Sequence, residues 1–231
     1  MSTGITISKR VAGVRERIAV AAQKCGRSEH EVQLLAVTKT RSEGEIRELL
    51  ACGLSEFGEN RIAEAQAKMV LFPADVRWHM IGHLQSNKVR DCAGFSWVQS
   101  VDREKIVTLL ENLSAASPTK LRVLLEVNTG GEDQKGGTRT WEDLLARAEQ
   151  LLKCAHLEWE GLMTMAPFSP QESIVRPCFA RLFELRERLR MRFPESSLPV
   201  LSMGMSNDFE WAIQEGSTMV RVGTLLFEDR T

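Results

Sequence analysis

Lys39 stands at the carboxyl end of an apolar run, AVTKT at residues 36–40. An amine attacks a carbonyl only when unprotonated, and a mostly apolar, partly desolvated setting lowers its pKa in that direction. A strand-end lysine also snorkels to solvent as routine, so Lys39 acquires chemical meaning only from its companions. Two glycine-containing segments supply them. In Ser202-Met203-Gly204-Met205-Ser206-Asn207-Asp208, Gly204 permits close backbone approach. Ser206 or Asn207 can cap a following helix, with Glu210 at capping-box spacing from Asn207. Such a helix start offers unpaired N–H groups to an anion. Arg221-Val222-Gly223-Thr224 adds a guanidinium, a second glycine and a hydroxyl. Each segment alone is an ordinary turn. Placed with Lys39 at one end of one fold, they describe a site for a phosphorylated aldehyde.

Other candidates carry less. Asn60, in Phe57-Gly58-Glu59-Asn60-Arg61, serves equally as a helix cap or a ligand contact. His79 and His83 have the spacing of a helical metal pair. His79 lies in an extended segment, however, and His83 beyond Gly82, so no metal site is expected. Ser86, Asn87 and Lys88 read as the start of a helix facing the mouth of the fold. The Met-rich strand end Gly161-Leu162-Met163-Thr164-Met165 reads as core packing. The five cysteines (Cys25, Cys52, Cys92, Cys154, Cys178) are odd in number, widely spaced and without C-x-x-C, which argues for reduced thiols rather than disulfides or a zinc knuckle.

The elements that must position these residues alternate. Residues 8–24 carry Val11, Val14, Ile18 and Ala21 at helical spacing, an amphipathic leading helix. Short apolar segments then follow at 32–37, 56–57, 77–81, 96–98, 121–127, 157–162, 199–203 and 219–222. Helical patterns separate them at 43–52, 62–71, 85–92, 103–116, 141–153, 172–192 and 208–215, and the last strand runs out at the C-terminus. Alternating strands and helices demand parallel strands with right-handed crossovers. Eight of them predict an α/β fold, a closed (β/α)8 barrel with an extra N-terminal helix, with an open doubly wound sheet as the alternative. In such barrels function sits at the carboxyl ends of the strands, and the loops after strands seven and eight frequently bind phosphate.

At 231 residues the chain fits one barrel domain, 1–231. With 30 Lys+Arg against 31 Asp+Glu, the net charge of −1 removes the strongest argument for nucleic-acid binding. Residues 1–7 lack a secretory pattern and no run of about 18 apolar residues occurs, so a cytoplasmic protein without a membrane span is expected. The sequence has no tyrosine beside nine Phe and five Trp.

AVTKT (36–40), FGEN (57–60), WHMIGHLQSNK (78–88), GLMTM (161–165), SMGMSNDFEWAI (202–213) and GSTMVRVGTLLF (216–227) together resemble the pyridoxal phosphate homeostasis proteins. That family is a single-domain version of the alanine racemase barrel, the type III fold of pyridoxal 5′-phosphate (PLP) proteins. The resemblance implies PLP held as a Schiff base on Lys39 and a role in intracellular vitamin B6 homeostasis that influences amino-acid and keto-acid balance. It further implies that Ser202, Ser206, Gly223 and Thr224, with amides near Gly204 and Met205, surround the phosphate, and that Asn60 lies beside the ring. Arg221 matches an arginine near the pyridine nitrogen or the phosphate. At the ring nitrogen it would keep that atom unprotonated and weaken the electron sink of PLP chemistry.

Four positions depart from the pattern. His83 stands where proline is more frequent, Arg61 and Ala63 replace bulkier uncharged or amide residues, and Glu228 replaces a glycine. Lying at the rim, they bear on partner or ligand access more than on cofactor binding. The resemblance suggests a monomeric, non-enzymic carrier that exchanges PLP with vitamin B6 enzymes or the free pool. The alternative is a PLP-dependent racemase or related enzyme. Racemisation needs acid/base groups on both faces of the substrate, and the fold relatives supply the second as a tyrosine from an additional C-terminal domain. This chain ends at residue 231 with neither. A barrel binding another phosphorylated metabolite without covalent chemistry is the third reading, and Lys39 discriminates.

Overall fold

In the computed structural model, which describes residues 6–228, eight parallel strands close on themselves. Residues 1–5, most of the stretch read above for a secretory pattern, lie outside the described residues, as do 229–231. The chain enters through α1 (Ile7–Lys24), whose buried Val11, Val14, Ile18, Ala21 and Ala22 form one apolar stripe at helical spacing. Elements then alternate: β1 (Gln33–Val37), α2 (Glu43–Ala51), β2 (Glu56–Glu59), α3 (Ile62–Met69), β3 (Arg77–Met80), a 3₁₀ segment (Ser86–Cys92), β4 (Trp97–Val101) and α4 (Glu104–Ser114). They continue with β5 (Leu121–Glu126), α5 (Trp141–Leu151), β6 (Leu157–Met163), α6 (Glu172–Arg192), β7 (Val200–Met205), α7 (Phe209–Gln214), β8 (Met219–Val222) and α8 (Thr224–Phe227). Each strand pairs with its chain neighbours, and β1 closes on β8 with Ala36 opposite Val222.

Two apolar regions follow from the alternation of side chains along each strand. Outward residues such as Ala36, Phe57, Val98, Val123 and Val220 pack under the helices. Inward residues fill the barrel in two groups, Leu35, Val37, Ile81 and Met219 in one, Trp97, Leu124 and Met163 in the other. No helix among the described residues is long and apolar enough to cross a membrane.

The structure corrects three expectations about these elements. Residues 85–92 read as an ordinary helix, but Ser86–Cys92 is a 3₁₀ segment whose buried residues, Val89 and Cys92, are three apart. That spacing matches a helix of three residues per turn. The eighth strand does not simply run out; the single turn of α8 follows it, too short to display a periodicity. In β2 the strand extends past its apolar residues to Glu59, because Gly58 and Glu59 pair in register with His79 and Met80 of β3.

Candidate functional site at the carboxyl mouth of the barrel

Lys39 lies in the turn after β1 and is exposed. Its ammonium has no hydrogen-bond or ion-pair partner among the described residues. The turn around it is tightly held. Thr38 is buried and donates its hydroxyl to Glu59 Oε1 at 2.6 Å. Lys68 of α3 donates to the Thr38 carbonyl at 2.7 Å, and the Thr40 amide donates to Glu64. Burial raises the pKa of Glu59, opposed by its hydrogen bonds from Lys68 and Thr38.

The two segments expected to hold a phosphate end adjacent strands, with Met205 of β7 opposite Arg221 of β8. Gly204 has φ +93°, and a Cβ there would stand 2.6 Å from Ala212 Cβ and 2.8 Å from Phe209 Cα. Only glycine lets β7 run this close beneath α7. The expected cap is not formed: Asp208, not Ser206 or Asn207, occupies the N-cap, and it makes no side-chain bond to the helix. Its carboxylate turns back to accept from the Met205 amide at 2.5 Å, while Glu210 accepts from Arg17 Nε of α1 at 2.6 Å. The Met205 amide is therefore engaged within the protein. The amides of Ser206, Asn207, Gly223 and Thr224 donate to no other group among the described residues, and the Ser206 and Thr224 hydroxyls are likewise unpaired. Gly223 brings these groups toward Lys39, since a Cβ on it would meet Val37 Cβ and the Val37 carbonyl at 3.3 Å.

Ser202 and Arg221 lie deeper, inside the barrel. Arg221 Nη1 donates to the Ser202 hydroxyl and carbonyl, each at 2.7 Å, and Nη2 donates to the Thr164 carbonyl at 2.8 Å. Ser202 passes its own proton to Gln99 Oε1 at 2.6 Å. Burial lowers the Arg221 pKa to about 10, against upward contributions from Asp208 and Glu126, so the guanidinium is charged at neutral pH. Burial also raises Asp208.

On the far side of the mouth, Glu126 ends β5, the strand diametrically opposite β1 in the ring of eight. It is 4% exposed, yet its carboxyl accepts no hydrogen bond among the described residues. Burial raises its pKa to about 7, reinforced by Asp102 and opposed by Arg221. Gly136 closes over the same place: a Cβ there would stand 3.4 Å from Asp102 Oδ2, 3.6 Å from His83 Nδ1 and 3.7 Å from Glu126 Oε1.

The histidines do not converge. His79 is fully buried, 2.5 Å from Glu56 Oε2 and stacked on Trp97, whereas His83 is exposed with Asp102 Oδ2 3.9 Å away. No cluster of metal-ligating side chains occurs among the described residues. Asn60 is exposed and caps nothing; Arg61 holds the N-cap position of α3 without a side-chain bond. Among the departures, Arg61 and Ala63 are exposed, while Glu228 pairs with Arg41, whose guanidinium lies 4.6 Å over the Phe227 ring. Glu228 thus ties α8 to the segment just after Lys39. A cavity of about 780 Å³, lined by Phe95, Lys120 and Arg122 among others, opens at the opposite end of the barrel, so concavity alone would misplace the site.

Lys68, Glu59, Glu64, Gln99, Thr164, Asp102 and Glu126 were not singled out by the sequence. Only the Glu64–Lys68 pair, four apart on a helix, carried a local signal.

A closed parallel barrel with a lysine after β1 and unpaired amides after β7 and β8 is the arrangement that the resemblance to the alanine racemase barrel implies. The family described as "Alanine racemase, N-terminal domain" matches residues 11–231. The pyridoxal phosphate homeostasis protein of Aquifex aeolicus is 42% identical over 224 residues, covering 96% of this chain and 97% of its own. That of Pseudomonas aeruginosa is 44% identical over 227 residues, 97% and 96% of the two chains. The solved structure of PipY from Synechococcus elongatus with PLP bound superposes with a TM-score of 0.84 at 34% identity, over 96% of this chain and 100% of that one. An alanine racemase from E. faecalis shares the fold, at TM-score 0.74 and 18% identity, over 98% of this chain and 59% of that one. The chain belongs to the alanine racemase N-terminal domain family and, within it, to the pyridoxal phosphate homeostasis proteins.

Proposed function

We propose that this protein binds PLP at the carboxyl mouth of its barrel and serves intracellular PLP homeostasis as a carrier, not as an enzyme. One juxtaposition carries the reading: Lys39, whose amine is unpartnered among the described residues, follows β1, and the unpaired amides and hydroxyls follow β8, which pairs with β1, and β7, which pairs with β8. PLP, when bound, supplies an aldehyde that condenses with the amine, forming a C=N bond and releasing water. Ser206, Gly223 and Thr224 fit the phosphate through their amides and hydroxyls, in a loop shaped by Gly204 and Met205. Ser202 contributes by holding Arg221. The place of Arg221 inside the barrel, below those loops, favours the ring nitrogen over the phosphate, and Asn60 at the rim suits the edge of the ring. The names of the Aquifex aeolicus and Pseudomonas aeruginosa relatives, both pyridoxal phosphate homeostasis proteins, and the PLP in PipY support the same reading. Action as a cytoplasmic monomer, exchanging PLP with the free pool or with PLP-dependent apoenzymes, rests on the family likeness.

The test is an absorbance titration with PLP. The protein should develop a visible band that borohydride fixes and that Lys39→Ala does not develop; an unchanged band in the variant overturns the assignment. A racemase-like enzyme is the second reading, and Glu126 favours it: an unpartnered carboxyl opposite Lys39 is a candidate second acid/base group. Deuterium exchange at Cα of L- and D-amino acids by the loaded protein separates the two. Exchange at ordinary enzymic rates would exclude the carrier.

A further inference from the structure

The residues on either side of Lys39 are tied to one buried ammonium. Lys68 Nζ donates to the Thr38 carbonyl, to Glu59 Oε1 and to Glu64 Oε1, each at 2.7 Å. These three acceptors use all three of its protons. Glu64 Oε1 also accepts from the Thr40 amide, and Glu59 Oε1 from the Thr38 hydroxyl. One cation therefore fixes the carbonyl before Lys39 directly and the amide after it through a carboxylate.

Stability alone does not account for this arrangement, because a buried ion pair is frequently no more stabilising than an apolar replacement of similar volume. The backbone points to what it does. Thr40 has φ +63°, a left-handed conformation that a β-branched residue holds only when its surroundings impose it. Its hydroxyl donates to the Lys39 carbonyl at 2.6 Å, locking the turn further. Since the Lys39 amine has no hydrogen-bond or ion-pair partner among the described residues, what the protein fixes is the backbone from which its side chain departs.

We infer that Lys68, acting through Glu59 and Glu64, is a positioning residue that aims Lys39 into the mouth for covalent capture of an aldehyde. The inference rests on Lys39 being the residue that carries PLP. Pre-organising one amine in this way raises its effective concentration at the reacting carbon.

The experiment compares wild type, Lys68→Met and Glu64→Ala, each with and without Lys39→Ala, by equilibrium dialysis against PLP and by visible absorbance. Lys68→Met keeps the stem and removes the charge. Glu64→Ala, at a half-buried position where alanine suits the helix, releases the Thr40 amide and removes one of the three acceptors of Lys68 while leaving its bonds to the Thr38 carbonyl and Glu59, and it keeps the test valid should Lys68→Met not fold. With Lys39 present, Lys68→Met should weaken PLP binding about tenfold and Glu64→Ala severalfold; in the Lys39→Ala background neither should change it. Equal weakening in both backgrounds, or none in either, overturns the positioning role. A visible band that survives Lys39→Ala would instead sink the assignment of Lys39, and the inference with it.

Discussion

Glu126 shows how one buried side chain couples the mouth to pH. Its carboxyl sits in the folded protein with a pKa of about 7 against an ordinary 4.5, because burial and the neighbouring Asp102 disfavour its charge. Between those values the native state binds more protons than the unfolded state, so the group's contribution falls as pH rises from 4.5 to about 7. The loss is on the order of 3 kcal/mol from the linkage relation. Glu126→Gln should therefore match wild type near pH 4 and exceed it above about pH 7 in denaturant unfolding. A stability difference that does not grow with pH would mean that Glu126 titrates normally. Lys39 was legible at this scale because a lysine ending an apolar strand is a local pattern. Glu126 was not, because a carboxylate ending such a strand reads as solvent-facing until the barrel closes around it.

At the scale of elements, β7 meets α7 through a glycine that cannot be replaced cheaply. Gly204→Ala must hold φ +93° and bring a methyl group to 2.8 Å from Phe209 Cα, so the strand end or the helix has to move. The expected cost is about 2–4 kcal/mol in urea unfolding, from conformational strain plus overpacking. A cost below about 0.5 kcal/mol would show that the loop relaxes freely. Strand and helix order was readable from the apolar runs and helical periodicities between them. The ends of elements were less so: the cap expected at Ser206 or Asn207 passed to Asp208, whose carboxylate found the Met205 amide instead of the helix. Competition between two nearby donors for one carboxylate depends on chain geometry that spacing does not contain.

Across the whole molecule, a chain of hydrogen bonds runs through the barrel interior: Glu56 to His79 at 2.5 Å, His79 to Gln99 at 2.9 Å, Gln99 to Ser202 at 2.6 Å and Ser202 to Arg221 at 2.7 Å. Its direction is determined. Arginine only donates, so Ser202 accepts from Arg221 and donates to the Gln99 oxygen; the Gln99 amide nitrogen then donates to His79 Nδ1. His79 is left as the neutral Nε2–H tautomer, donating to Glu56. Burial lowers the His79 pKa, against the raising effect of Glu56, in keeping with that state. Nitrogen NMR of labelled protein at about pH 7 should find the Nε2–H tautomer, and an imidazolium there would refute the arrangement. From its sequence alone this protein has its alternation of strands and helices, its Lys39 and the glycine loops of the mouth, because these depend on residues close together in the chain. The tertiary structure decided the rest. The clamp on the Lys39 turn and the line from Glu56 to Arg221 join residues of different strands and helices, and only closure of the barrel brings their polar atoms within bonding distance and buries the unpaired Glu126 away from water.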